Sequence, residues 1–70
     1  MIILGIDPGL ASTGFGALRC DGAAPVLVRC GSIKTFPHDT VPDRLMQIHH
    51  DVDRIIGEVQ PDLFALEDVF

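Results

Sequence analysis

Basic residues are scarce in this chain. Four Arg and one Lys stand against ten acidic residues, giving a net charge of −5 and a pI near 4.7. A stand-alone nucleic-acid binder shows a basic face, and these five are scattered along the sequence, so composition by itself argues against a nucleic-acid partner. Cysteine is nearly absent. Cys20 and Cys30 are too few for the disulfide framework of a small secreted domain. A hairpin turning near Gly22–Pro25 would set Cys20 opposite Val26 rather than Cys30, which reads as two free thiols in a reducing cytosol. The N-terminus carries no basic segment followed by an apolar core, and no apolar run reaches the length of a membrane span. The expectation is a soluble, cytoplasmic protein with no membrane partner. Length is short as well. With 70 residues, folding buries only about 60% of the surface of the unfolded chain, which excludes two full domains and a large enclosed pocket.

What is present falls into two periods. Ile2 to Ile6 is a short apolar run closed by Asp7-Pro8-Gly9, the pattern of a buried strand meeting a turn. Asp7 precedes a proline and is pushed toward extended conformations, and Pro then Gly suit a type II turn. Thr13 to Cys20 is a second strand, with Gly14 and Gly16 on one face and Thr13, Phe15 and Ala17 on the other. Val26 to Phe36 is a third, interrupted at Gly31-Ser32. Short links between the three predict an antiparallel meander. After Pro37–Thr40 the period lengthens: Leu45, Ile48, Val52, Ile55, Ile56 and Val59 form the apolar stripe of an amphipathic helix. Thr40 suits its N-cap, Pro42 its first turn and Asp43 a capping box; Gln60-Pro61-Asp62 ends it. Leu63 to Leu66 is a fourth strand. A strand–helix–strand step predicts a parallel, right-handed crossover, and the apolar first strand is the partner expected to be flanked on both sides.

That pairing gives the acids a meaning. Parallel neighbours would bring Asp7 and Glu67 to matched carboxyl ends, about 4.7–4.9 Å apart between strands. Each acid ends an apolar stripe (Ile3, Gly5; Leu63, Ala65), where charge is costly unless paired or bound to a cation. Two hard oxygen donors at the ligand-binding edge of such a sheet suit Mg²⁺. The bland reading is that Asp7 accepts from the N–H of Gly9 or Leu10 and that Glu67 is an exposed strand end. Gly14 and Gly16 weaken a strand unless something approaches closely: a bulge or tight packing against a neighbour on the bland reading, a phosphate backbone on the other. His49 and His50 fall on the helix, away from the acids, and Asp68 faces opposite to Glu67. Lys34 and Arg44 read as backbone contacts or solvated charge, the latter favoured.

Ile3–Gly16, Gly31-Ser32-Ile33-Lys34-Thr35, Pro42-Asp43-Arg44-Leu45, Gln60-Pro61-Asp62 and Ala65–Phe70 together resemble the opening of RuvC-type Holliday-junction resolvases, in the same order and spacing over the whole chain. The resemblance implies an α/β ribonuclease H-like fold, with a three-stranded meander, a helix and a fourth strand parallel to the first. On it, residues 1–70 are the N-terminal part of a single nuclease domain. It implies a metal-dependent endonuclease acting on four-way junction DNA in recombination and repair, working as a homodimer with a branch-migration helicase complex. Asp7 and Glu67 match two of the family's four catalytic, metal-binding carboxylates, with two Mg²⁺ ions expected in the intact protein. Phe70 matches an aromatic that contacts junction DNA. Thr13 and Gly14 fall in a segment near the scissile strand. The other two acids belong to a later segment, so the chain alone is expected to be inactive.

Two other readings remain open at this point. An actin-like or sugar-kinase ATPase lobe could cradle phosphates with Asp7-Pro8-Gly9 and Ser12-Thr13-Gly14, although Pro8 removes one backbone donor and leaves Glu67 without a role. A non-catalytic module with the same fold would use neither acid.

Overall fold

The computed structural model describes residues 1–67. Four strands, β1 (Ile2–Asp7), β2 (Ser12–Arg19), β3 (Val26–Lys34) and β4 (Leu63–Leu66), and one helix, α1 (Val41–Val59), follow one another as β1-β2-β3-α1-β4. The sheet order is β3-β2-β1-β4. β1 runs antiparallel to β2 and parallel to β4, so the expected meander and crossover both form. The apolar run Ile2–Ile6 accordingly has a neighbour on each side, as β2 also does.

The alternation of side chains sorts the sheet into two faces. Leu4, Ile6, Ala17 and Ile33 point toward α1 and are buried with Ile55, while Phe15, Ile48, Val52, Ile56 and Val59 pack around them. Leu4 and Ile55 are almost completely enclosed, at 0% and 1% exposure. From Ile48 to Val59 the helix stripe is the one its three- and four-residue spacing predicts, whereas Leu45, expected in it, is 55% exposed. Thr40 caps it, its hydroxyl accepting from the Asp43 N–H at 3.3 Å. Gln60 closes it in the left-handed conformation, φ 52° and ψ 61°, with its N–H donating to Ile56 O at 2.8 Å.

Three local expectations are corrected. β3 does not break at Gly31-Ser32 and ends at Lys34; Gly31 instead makes room for the Phe15 ring, which would stand 3.0 Å from a Cβ there. The irregularity falls at Ala17/Leu18, opposite Arg29 and Leu27. Nor is the first turn type II, since among the described glycines only Gly22 has positive φ. Gly9 is required for another reason: a Cβ there would stand 2.4 Å from the Ser12 carbonyl oxygen. Arg44, expected as solvated charge, is half-buried and donates from Nε to Thr35 Oγ1 at 3.1 Å. Cys20 and Cys30 are free thiols.

Candidate active site

The site is built by register. Ile3, Gly5 and Asp7 alternate onto the face of β1 turned away from the helix. β4 pairs Ile3 with Leu63 and Gly5 with Ala65, and the Glu67 N–H extends the ladder to Ile6 O at 3.0 Å. Glu67 thus falls beside Asp7 on the same face. At the far end Asp62 fixes this register from both sides. Its carboxylate accepts from Ile2 N–H at 2.6 Å, and its own N–H donates to Ile2 O at 2.8 Å.

The two carboxyl groups feel each other. A hydrogen bond with Asp7, charge repulsion from it and a smaller desolvation effect hold the Glu67 carboxyl above its ordinary range. Two carboxylates at one place favour sharing a proton or a cation over standing charged side by side. Hard oxygen donors of this kind fit a divalent cation such as Mg²⁺, with waters or phosphate oxygens completing the shell. Among the described residues no third His, Cys, Asp or Glu joins them. His49 and His50 are exposed on α1, and His49 lines a separate groove between α1 and β4 with Val52, Phe64 and Leu66.

The surface around the pair is unusually bare. β2 sets Gly14 opposite Asp7 and Gly16 opposite Gly5, forming a shallow groove of about 460 Å³ with Ala65 and Glu67 along its rim. Glycine in a strand interior costs stability, so it calls for a cause. Packing among the described residues does not supply one. A Cβ at Gly5, Gly14 or Gly16 would meet its nearest neighbour at 3.8, 3.9 and 4.0 Å, ordinary contact distances, and none of the three has positive φ. Among the described residues a crowding neighbour therefore accounts for Gly9 and Gly31 but not for Gly14 or Gly16, and the irregularity of β2 at Ala17/Leu18 lies beside Gly16.

The turn after Asp7 is held by Thr13, which is fully buried. Its hydroxyl accepts from Gly9 N–H at 3.2 Å and donates to Gly9 O at 2.8 Å. Its hydroxyl thus donates and accepts within the turn, so Thr13 shapes the turn from a buried position. The Gly9 N–H goes to Thr13 and not to Asp7, which removes one of the two turn contacts of the bland reading of Asp7. It also takes away a donor that the phosphate-cradle alternative needs. A Thr four residues after a turn glycine is the signal that points to this bond. Phe70, with Asp68 and Val69, lies outside the described residues.

This geometry can be compared with known proteins. The family model of crossover junction endodeoxyribonuclease RuvC matches residues 3–70. The chain belongs to the RuvC family. Curated RuvC relatives include that of Alkaliphilus metalliredigens, 43% identical over 70 residues, covering 100% of this chain and 43% of the relative. That of Shewanella pealeana is 48% identical over 69 residues, covering 99% and 39%. The chain thus spans less than half the length of the RuvC relatives it matches. Among solved structures, Thermus thermophilus RuvC superposes with a TM-score of 0.88 at 29% identity, over 100% of this chain and 44% of that one. The same organism's RuvC in complex with Holliday junction substrate gives 0.89 at 30%, over 100% and 45%. The sheet order, the parallel β1–β4 pair and these superpositions together establish the ribonuclease H-like fold.

Proposed function

We propose that the protein carrying this chain is a metal-dependent endonuclease that resolves four-way DNA junctions by hydrolysing phosphodiesters, and that residues 1–70 form the N-terminal part of one nuclease domain. The observation that carries this reading is the Asp7–Glu67 pair, side by side at the end of a face left open by Gly5, Gly14 and Gly16, in a chain of the RuvC family. Asp7 and Glu67 would hold the cation, for which their mutual repulsion suits them. A bound divalent cation supplies Lewis-acid stabilisation of the phosphate and a lowered pKa for attacking water. Water forms the new bond to phosphorus while the bond to the 3′ oxygen breaks. Gly14 and Gly16 let the scissile strand lie against the sheet, and Phe70 stacks on a base beside it. Two Mg²⁺ ions would need ligands beyond Asp7 and Glu67, so residues 1–70 alone are not expected to cleave. The active form is a homodimer, whose two-fold symmetry fits that of the junction, and it works in the cytoplasm with a branch-migration helicase.

The decisive experiment compares full-length wild type with Glu67→Gln on a synthetic four-way junction with Mg²⁺. Loss of a carboxylate ligand removes several kcal/mol of charge stabilisation, so cleavage falls at least about 100-fold while junction binding persists. Undiminished cleavage by Glu67→Gln would refute the reading.

A further inference from the structure

The open face of the sheet carries more than the acid pair. Read across the strands, one row holds Glu67, Asp7, Gly14 and Ser32, because Asp7 pairs with Gly14 and Gly14 with Ser32. The next pair outward is Ser12 with Lys34, on the same face by the two-residue alternation. β3 lies two strand spacings from β1, and Lys34 one further pair along, which puts its Cα about 12 Å from that of Asp7 in a flat sheet. Lys34 is exposed. It stands in none of the ion pairs among the described residues, which use Met1, Arg29 and Arg54.

Its backbone, by contrast, is firmly held. The Gln47 side chain donates to Lys34 O at 2.9 Å. The adjoining Thr35 is buried, donates from its hydroxyl to Leu10 O at 2.6 Å and from its N–H to Ala11 O at 3.2 Å, and accepts from Arg44. Arg44 and Gln47 lie three positions apart on α1 and so project to the same side. Strand ends ordinarily fray; this one is tied to both the helix and the turn that follows Asp7. A cation with a fixed base and a free head, level with a glycine-cleared surface, is preorganised for an anion.

We propose that Lys34 contacts a backbone phosphate of the DNA strand that crosses the open face from the acid pair over Gly14 to the end of β3. This rests on the nuclease function proposed above and adds to it the direction of the strand and its second point of attachment. Arg44 and Gln47 act as positioning residues, holding the Lys34 backbone without touching DNA.

The test measures binding of the full-length protein to a four-way junction and to a linear duplex over a range of salt, without divalent cation. Each phosphate contact contributes about 0.9 to the slope of log K against log salt. Lys34→Ala lowers the slope by about that amount, so its affinity falls about 3.5-fold less than wild type between 50 and 200 mM salt. Lys34→Arg restores the slope. Arg19→Ala, at the opposite end of β2, leaves it unchanged. An unaltered slope in Lys34→Ala, or an equal change in Arg19→Ala, overturns the proposal. If wild type binds duplex and junction alike here and, in a separate assay with Mg²⁺, cleaves neither, the junction-resolving function fails while the Lys34 slope is still read on the duplex; if it binds no DNA, both fail.

Discussion

At the scale of single residues, the glycines separate into those that the fold requires and those that it does not. Gly9 and Gly31 are crowded, by the Ser12 carbonyl and the Phe15 ring, whereas Gly14 has room for a methyl group. Gly14→Ala should therefore leave the melting temperature unchanged or raise it, by about 0.5–1 kcal/mol from the loss of glycine's chain entropy. The same change should weaken DNA cleavage by the full-length protein. A calorimetric melt beside a cleavage assay separates the two effects. Thr13→Val acts in the opposite sense. It leaves the Gly9 N–H without its partner, costing about 1–3 kcal/mol, visible as a lower urea midpoint. Glu67 provides a pH signature. Its carboxyl is held above its ordinary value in the fold, so without metal the folded state binds that proton more tightly than the unfolded one. Its contribution to stability is full below the ordinary carboxylate range and is lost as pH rises through the raised value. Added Mg²⁺ should reverse that trend. The difference in melting temperature between wild type and Glu67→Gln, followed across the acid range with and without Mg²⁺, reads this directly.

Among the elements, α1 couples packing to the site. Ile55 is 1% exposed and meets Leu4, Ile6, Ala17 and Ile33. Ile55→Ala should cost about 2–5 kcal/mol, much of the total stability of a small domain; loss of the cooperative thermal transition is the expected result. Gln60 ends the helix in a conformation that favours glycine. Gln60→Gly relieves about 1–2 kcal/mol of backbone strain against about 0.5–1 kcal/mol of added chain entropy, for a small net rise in melting temperature. Much of this architecture is legible in the sequence, because period-two and period-3.6 patterns follow from local geometry. The Thr40 cap, the stripe from Ile48 to Val59 and the parallel β4 all come from that source. What is not legible depends on contacts between distant segments. Thr35 finds Arg44 only after β3 packs on α1, and the Leu10–Ala11 turn meets Thr35 only through the β2–β3 register. The reason for Gly9 in its turn is not legible as a type II requirement, because the Ser12 carbonyl that crowds it comes near only once the chain has folded back. The acid pair itself was legible, since two strand ends in parallel register leave little freedom.

For the molecule as a whole, the two faces of the sheet divide labour. One is covered by α1; the other grades from apolar (Ile3, Leu18, Leu63) through small (Gly5, Gly16, Ala65) to charged (Asp7, Glu67) toward one edge. The radius of gyration is 13.1 Å, against about 11 Å for a compact domain of this length, and the thinnest dimension is 15 Å. Phe64 and Leu66, on the helix side of β4, are 47% and 64% exposed. Residues 1–70 in isolation should therefore associate with themselves through apolar surface, measurable as a concentration-dependent sedimentation coefficient. The Asp62 clasp at the start of β4 has a kinetic consequence. β1 and β2 can pair across a short turn, but β1 meets β4 only when the chain between them has been drawn closed, and long closures are entropically late. Asp7 and Glu67 therefore become neighbours in the last step of folding, after the meander exists. On the proposed function the cation site would exist only after that closure, and slowing it, as Asp62→Ala should, is expected to delay cation binding in stopped-flow refolding while the meander forms at its usual rate.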